Sequence, residues 1–210
     1  MKDNYLNTQS SLAMKGAGYY SAKTAGAKTA IDKTLKVIEN ALKTIPSTEI
    51  LKFADFGSAD GGTSQEMWFN VIKLIREKGD DRQIEILYTD LASNDFSTLF
   101  KTMQGMHGNS QFAFQDFFSN VYVHGCGTGF HQQLMANNSL TLAFSATAMH
   151  YVSERPCLIE NHVHMTGANE REKKLFKDQA NKDWETILLN RSKEMINGGR
   201  FICINFGIDE

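Results

Sequence analysis

The stretch Ile50-Leu51-Lys52-Phe53-Ala54-Asp55-Phe56-Gly57-Ser58-Ala59-Asp60-Gly61-Gly62 decides the fold. An apolar run ends at an acidic residue and is followed by closely spaced glycines. This pattern predicts a strand, a tight turn and the start of a helix, whose first N–H groups have no partner within the helix. Glycine lets such a turn approach a ligand closely, so we expect the turn to hold a nucleotide-like cofactor.

The chemistry of this turn differs from that of the common phosphate-binding turns. Its glycine spacing is not the G-x-G-x-x-G of dinucleotide folds, and it lacks the Lys-Ser or Lys-Thr pair of a P-loop. A bound pyrophosphate or triphosphate is therefore not favoured. Asp55 could instead accept a hydrogen bond from an ammonium or hydroxyl group of the ligand. The alternative is that Asp55 only caps the turn through its own backbone.

A second apolar run, Ile84-Glu85-Ile86-Leu87-Tyr88-Thr89-Asp90, also ends on a carboxylate. In open α/β sheets, ligands bind beyond the carboxyl ends of neighbouring strands. Asp90 is therefore well placed to accept hydrogen bonds from a ribose diol. The alternative is an aspartate that caps a helix or closes a turn.

Two further strand candidates are Val121-Tyr122-Val123 and Leu140-Thr141-Leu142-Ala143-Phe144-Ser145. The first runs into a glycine-rich turn, in which Phe130 could cover an adenine face. The second is followed by His150 and Tyr151, and its carboxyl end points at the same cleft. His150 is either a functional group there or a satisfied residue at the edge of the core.

Apolar residues at helical spacing alternate with these strands. We predict one continuous helix over residues 24–42, then helices from 67 towards 79, over 94–105 and over 170–197, the last one ended by Gly198-Gly199. A final strand follows at 200–206. This alternation predicts an α/β fold, a mostly parallel sheet with helices on both faces joined by right-handed crossovers.

The composition fits one compact domain, with 210 residues, 41% of them hydrophobic, and a formal net charge of −2. The 22 basic and 24 acidic residues leave no excess positive field, so no nucleic-acid partner is predicted. The three cysteines are widely spaced without a C-x-x-C motif, so neither a disulfide framework nor a zinc site is indicated, and we expect no metal. No stretch approaches the ~20 apolar residues of a membrane span, so we expect a cytoplasmic protein without a membrane partner.

Several motifs occur together in order along the chain. The two specific ones are Ala54-Asp55-Phe56-Gly57-Ser58-Ala59-Asp60-Gly61 and Thr89-Asp90-Leu91-Ala92-Ser93-Asn94-Asp95-Phe96. Weaker ones are Met14-Lys15-Gly16-Ala17-Gly18-Tyr19-Tyr20-Ser21, Gly129-Phe130-His131, Met149-His150-Tyr151-Val152-Ser153 and Gly198-Gly199-Arg200-Phe201. The specific pair resembles A-D-L-G-C-S-S-G and N-D-L-P-G-N-D-F of the SABATH (salicylic acid/benzoic acid/theobromine) family of carboxyl and N-methyltransferases, which use S-adenosylmethionine (SAM).

This resemblance implies the Rossmann-like fold of SAM-dependent methyltransferases. Residues 1–210 would form one SAM-binding methyltransferase domain, with residues 1–23 as a lid over the cofactor. Members of the family continue past the last predicted strand, so we expect the chain to lack the last strands of the fold and most of its helical cap.

The resemblance also assigns cofactor-binding residues. Asp55 and Gly57 would line the methionine end of SAM, while Asp90 and Leu91 would hold the ribose and the adenine. The remaining cofactor-binding candidates are Lys15, Tyr20, Gly129, Phe130 and Ser145.

On the acceptor side, His150 and Tyr151 are the candidates for both catalysis and substrate binding. Tyr151 takes the place of a family tryptophan, and its hydroxyl can still donate a hydrogen bond to a carboxylate. Thr29 takes the place of the acceptor-binding glutamine and is the third substrate-binding candidate.

We therefore expect a carboxyl methyltransferase that converts a small-molecule carboxylic acid into its methyl ester and SAM into S-adenosylhomocysteine (SAH). A carboxylate has a pKa near ~4 and is ionised at neutral pH, so no general base is required. The alternatives are methylation of a heterocycle nitrogen with His150 as base, a SAM-binding module without turnover, and another nucleotide-binding α/β protein. A homodimer is one possible assembly.

Overall fold

The computed structural model describes residues 15–207 of the chain. Its strands are β1 (Ile50–Phe56), β2 (Gln83–Thr89), β3 (Val121–Cys126), β4 (Leu140–Ala146) and β5 (Met195–Ile204). They form one sheet in the order β3-β2-β1-β4-β5, and each neighbouring pair is parallel. The chain therefore builds outward from β1 on one side and then crosses to β4 on the other. The crevice beyond the carboxyl ends of β1 and β4 is the place where such sheets bind ligands.

Helices cover both faces of this sheet. They are α1 (Tyr19–Lys23), α2 (Ala25–Asp32), α3 (Leu35–Leu42), α4 (Gln65–Glu77), α5 (Phe96–Met103), α6 (Phe114–Phe117) and α7 (Glu170–Glu194). Successive strand residues point to opposite faces, so Phe53 stacks on Trp68 of α4, with ring centroids 5.5 Å apart, while Ala54 shares a core cluster with Ile187 of α7. The predicted parallel sheet with helices on both faces is confirmed.

The helix predicted over residues 24–42 is interrupted between α2 and α3. At the break, both the N–H and the hydroxyl of Thr34 donate to the carbonyl oxygen of Ile31. Such a local side-chain bond competes with the regular i to i−4 pattern of the helix. The apolar spacing is continuous across the break, which is why the sequence pattern predicted one helix.

The glycine pair predicted to end the last helix lies inside β5 instead. α7 ends at Glu194 and β5 begins at Met195, five residues before the predicted start of this strand. Gly198 has a φ of +82°, and the β4–β5 register shifts between Leu140 and Leu142. Glycines within a strand are typical of such a bulge, so the prediction that this pair ends the last helix is wrong.

Asp55 lies beneath the turn that follows β1 and does not line the cavity beyond the strand ends. It is 3% exposed, and its Oδ2 accepts hydrogen bonds from the hydroxyl of Ser64 (2.6 Å) and from Nε1 of Trp68 (2.9 Å). The carboxylate thus joins β1 to the start of α4. The hydrogen bonds of this carboxylate run into the core, and its contact with a cofactor stays a prediction. This arrangement also differs from a cap on the residue's own backbone.

The pKa of Asp55 is raised to about 6, because burial removes water from its carboxylate and Asp90 adds repulsion. The unfolded chain releases this proton near pH ~3.9. Between the two values the folded state binds more protons than the unfolded one, so raising the pH lowers the free energy of unfolding. This loss is complete once the pH exceeds the pKa of the folded state.

We expect Asp55→Asn to remove this pH dependence, since its amide oxygen still accepts from Ser64 and Trp68. As the pH rises from 4 to 7, the free energy of unfolding of the variant minus that of the wild type should increase by on the order of 2–3 kcal/mol. Urea unfolding at several pH values measures the difference, with the exposed Asp178→Asn as control. A constant difference between variant and wild type across this range would contradict the assignment.

We expect Gly198→Ala and Gly26→Ala to change stability in opposite directions. A Cβ at Gly198 would lie 2.8 Å from Cγ of Pro46 at a positive φ, so this variant should lose about 1–3 kcal/mol. A Cβ at Gly26, in α2, meets no atom within 4 Å and should add about 0.5–1 kcal/mol. Thermal or urea unfolding tests both, and a stable Gly198→Ala variant would show that the bulge does not need glycine.

Candidate functional site

A cavity of about 220 Å³ lies beyond the carboxyl ends of the central strands. Its lining comes from α1 and from the segments that follow β1, β2, β3 and β4: Tyr20, Gly57, Ala59, Asp90, Leu91, Gly129, Phe130, His131, Gln132, Thr147, Ala148, Tyr151, Val152 and Ser153. The residues selected from the sequence that the structure brings together here are Tyr20, Gly57, Asp90, Leu91, Gly129, Phe130 and Tyr151.

Asp90 joins the two turns that form the base of the cavity. Its Oδ2 accepts the N–H of Ala59 (2.7 Å), in the turn after β1, and its Oδ1 accepts the N–H of Leu91 (2.7 Å). Burial raises the pKa of Asp90, while these two amide bonds favour its ionised form. An ionised carboxylate has about four acceptor positions, so Asp90 can also accept from hydroxyl groups of a ligand.

Gly57 shapes the turn after β1 through its conformation and its lack of a side chain. Its N–H and that of Ser58 donate to the carbonyl of Thr89, at 2.8 and 3.0 Å, which holds the turn against the end of β2. Its φ is +75°, and a Cβ here would lie 2.3 Å from Cβ of Ala148. Glycine is therefore required for the segments after β1 and β4 to approach each other.

The cavity offers the groups that an adenosine moiety needs. Leu91 and Phe130 provide apolar surface for a flat base, and Gly129 lies so close to Leu91 that an added Cβ would be 3.3 Å from its Cδ2. Asp90 provides an acceptor for hydroxyl groups. The residues present therefore fit a nucleoside cofactor.

The opposite wall is the segment that follows β4. Thr147 has a φ of +52°, and its hydroxyl lies 3.3 Å from that of Tyr20. Further along, the N–H and the hydroxyl of Ser153 donate to the two carboxylate oxygens of Asp183 on α7, at 2.8 and 2.7 Å. The wall is thus held at both ends by polar contacts.

A second hollow of about 280 Å³ adjoins this wall. It is lined by Met149, His150, Tyr151, Val152, Ala180, Asn181, Asp183, Trp184, Ile187, Asn205 and Phe206. It shares Tyr151 and Val152 with the first cavity, whereas His150 lines only the second. The ring centroids of His150 and Tyr151 are 4.5 Å apart. A group bound in either space would therefore be adjacent to Tyr151.

The two histidines and Tyr151 of this region are held in their uncharged forms at neutral pH. Burial lowers the pKa of His150 and of His131, and for His131 it outweighs the opposing effect of Asp183. Burial likewise raises the pKa of Tyr151, so its hydroxyl stays protonated. Tyr151 is thus a neutral hydrogen-bond donor, and His150 is a neutral imidazole that can donate or accept.

Other residues selected from the sequence lie outside the cavity. Ser145 is fully buried and its hydroxyl donates to the carbonyl of Phe56 at 3.0 Å, so it joins β4 to β1. Thr29 is exposed on α2 and donates to the carbonyl of Ala25 in its own helix. Lys15 is exposed, with Nζ 4.6 Å from the ring centre of Tyr19. Ser145, Thr29 and Lys15 thus do not line the cavity, and their contacts with cofactor or acceptor stay predictions.

The segment expected to form a lid is described from residue 15 onward, and residues 1–14 lie outside the described part. The N–H of Ala17 donates to Asp95 (3.1 Å), and both the N–H and the hydroxyl of Ser21 donate to Asp60 (3.1 Å each). Tyr20, between these contacts, lines the cavity. The described part of the segment is thus attached to the turns after β1 and β2.

Several residues of the lining were not predicted from the sequence. Ala59 and Thr147 have positive φ values (+48° and +52°) without being glycine, so no residue type signalled these turns. His131 and Gln132 directly follow Phe130, and proximity to a selected residue was the available signal. Ser153 was part of a quoted motif but was given no role.

Two further features of residues 15–207 concern membranes and metals. None of the helices there combines the length and apolar character needed to cross a bilayer. No cluster of three or more His, Cys, Asp or Glu side chains in this range is arranged to hold a metal ion.

Comparison with known proteins identifies the family. A family model described as SAM-dependent carboxyl methyltransferase matches residues 9–210. Methyltransferase FUS9 of Gibberella moniliformis is 30% identical over 195 residues, which cover 90% of this chain and 50% of that protein. Salicylate/benzoate carboxyl methyltransferase of Arabidopsis thaliana is 26% identical over 205 residues, covering 91% of this chain and 53% of that protein.

The comparison extends to other members and to a solved structure. The probable 7-methylxanthine methyltransferase PCS2 of Camellia ptilophylla is 24% identical, with 90% of this chain and 56% of that protein covered. A structure of loganic acid methyltransferase with SAH superposes with a TM-score of 0.74 at 22% identity, covering 90% of this chain and 57% of the other, and shows the same fold. The chain spans about half the length of the relatives it matches. With a family match over nearly all of its residues, the chain belongs to the SABATH family of SAM-dependent carboxyl methyltransferases.

Proposed function

We propose that the protein transfers the methyl group of SAM to the carboxylate of a small-molecule acid, giving a methyl ester and SAH. The observation that carries this proposal is that the two spaces adjoin each other. The cavity that fits a nucleoside and the second hollow share Tyr151 and Val152, so a cofactor and an acceptor would meet there.

In this proposal the first cavity holds the cofactor. Asp90 accepts from the ribose hydroxyls, Leu91 and Phe130 enclose the adenine, and Tyr20 and Gly57 border the methionine end. When bound, SAM supplies a methyl group already activated by its sulfonium. The part left to the protein is to orient the acceptor and to exclude water.

Tyr151 and His150 are proposed to orient the acceptor. Neither Lys nor Arg is among the described residues that line the two spaces. A carboxylate would therefore be held by neutral donors, which leave its charge available for attack on an electrophile. A carboxylate is already ionised at neutral pH, so this reaction needs no proton acceptor.

A nitrogen acceptor is the second candidate. It is favoured by the presence of His150 in the second hollow, where burial lowers its pKa and keeps the imidazole neutral and free to accept a proton. It is also favoured by the probable 7-methylxanthine methyltransferase among the relatives. A module that binds SAM without turnover is the remaining alternative, because the chain spans only about half of its relatives' length.

We expect Asp90→Ala to weaken SAH binding far more than Tyr151→Phe. The first change removes the proposed ribose acceptor and the bond to Ala59, so the Kd should rise at least about tenfold, whereas Tyr151→Phe should leave it within about threefold. Calorimetric titration with SAH measures both, with the exposed Asp178→Ala as control. Equal effects of Asp90→Ala and Tyr151→Phe would contradict the proposal that Asp90 binds the cofactor and Tyr151 the acceptor.

We expect methyl transfer from labelled SAM to a panel of small carboxylic acids to yield base-labile esters. The rate should be independent of pH above about 6, because the acceptor is already ionised. Methylation of a heterocycle should instead fall at low pH and be impaired by His150→Gln, while His164→Gln in an exposed loop has no effect. SAH binding without transfer to any acid or heterocycle would favour the non-catalytic module.

A further inference from the structure

The inward face of α7 is built largely from polar and charged side chains. Its buried residues are Glu172, Gln179, Asp183, Ile187, Arg191 and Glu194. By contrast, Trp184 and Leu189 on the same helix are 38% and 56% exposed. Buried charges are costly unless other groups compensate them, so the partners of this face indicate what the helix supports.

Arg191 is the most heavily bonded of these residues. It is 1% exposed, and its Nε and Nη2 donate to the two carboxylate oxygens of Glu194, at 2.6 and 2.8 Å. Its guanidinium carbon lies 4.3 Å from the ring centre of Phe56, at the end of β1. Glu194 is 0% exposed and also accepts the N–H groups of Leu134 and Met135. The two charges therefore compensate each other, and backbone N–H groups further stabilise that of Glu194.

Arg191 and its neighbour Asn190 also donate to one wall of the cofactor cavity. Arg191 donates from Nη1 to the carbonyl of Phe130 (2.7 Å) and from Nη2 to that of Gln132 (2.8 Å). Nδ2 of Asn190 donates to the carbonyl between them, that of His131 (2.9 Å). All three carbonyls belong to residues that line the cavity. Two neighbouring side chains of α7 thus hold three consecutive wall residues.

We propose that Arg191 is a positioning residue for the cofactor. It does not line the cavity, and it acts by fixing the Phe130–Gln132 wall against α7 and β1. The planar guanidinium reaches Glu194 and two carbonyls at once, which the single ammonium of lysine cannot reproduce. The inference rests on the proposed placement of the cofactor between Asp90 and this wall.

The test separates positioning from simple stabilisation by removing the whole ion pair. Replacing both members of a buried pair is often neutral for stability, whereas removing one leaves an uncompensated charge. In Arg191→Met/Glu194→Gln, the new amide oxygen still accepts from Leu134 and Met135. We expect this double variant to fold with a lower melting temperature, because the carbonyls of Phe130 and Gln132 lose their donors. At a temperature where it is fully folded, its Kd for SAH should rise about tenfold or more.

The matched control is Lys173→Met/Glu170→Gln, an exposed pair on the same helix with the same spacing and a separation of 2.9 Å. It should change neither the melting temperature nor the Kd. Arg191→Lys keeps the positive charge and provides a second measurement if the double variant does not fold. Its Kd for SAH should also rise.

Calorimetric titration of the wild type and the variants with SAH distinguishes a positioning role of Arg191 from a role in fold stability alone. A wild-type Kd in a folded double variant, or in Arg191→Lys, would show that Arg191 only stabilises the fold and would overturn the inference. Failure of the wild type to bind SAH would instead overturn the proposed cofactor site, and this inference with it. Binding by the wild type with a raised Kd in the variants supports both.

Discussion

The carboxylate of Asp90 fixes the geometry on which the cavity depends. Parallel strands deliver their carboxyl ends to one edge, but the turns that follow are free to diverge unless something joins them. Asp90 accepts one amide N–H from its own turn and one from the turn after β1. This side chain therefore adds a bond between the two turns to the backbone bonds that Gly57 and Ser58 make to Thr89. It also presents negative charge to whatever binds between them.

The second support comes from α7, which holds two walls of the cavity from outside. Near its end, Arg191 binds the wall that follows β3, and in its middle, Asp183 binds Ser153 in the wall that follows β4. Exposed ion pairs such as Lys173 with Glu170 contribute little to stability because water competes for both charges. The buried pair of Arg191 and Glu194 is different, since it also binds backbone groups inside the protein. The polar face of this helix is therefore explained by the loops that it binds.

The sequence predicted the architecture and much of the lining, because both follow from local patterns. Apolar runs ending at Asp90 and near Phe130 identified strand ends, and strand ends in a parallel sheet meet at one edge. The same logic placed Asp55 in the cavity, although its carboxylate bonds to Trp68 in the following helix. Residue type and position along the chain show where a strand ends but not which side of the sheet a side chain faces.

Other differences have the same origin in contacts between distant segments. The hydroxyl of Ser145 bonds to the neighbouring strand, and Gly198 provides a bulge beside Pro46. Arg191 carries no local signal of its role, since the carbonyls that it binds lie about sixty positions earlier. Interactions of this kind require the tertiary structure, whereas the turn after β1 could be read from thirteen consecutive residues.

The way in which α1 is attached affects how a ligand enters the cavity. None of its residues is buried, and Tyr20 and Ser21 are held by hydrogen bonds of 3.1–3.3 Å to groups on the sheet edge. Moving this short segment outward would exchange such bonds for bonds to water. We therefore expect the opening of α1 to be a local fluctuation of low free energy. We expect a ligand of the cavity to enter on that side without any separation of the five strands.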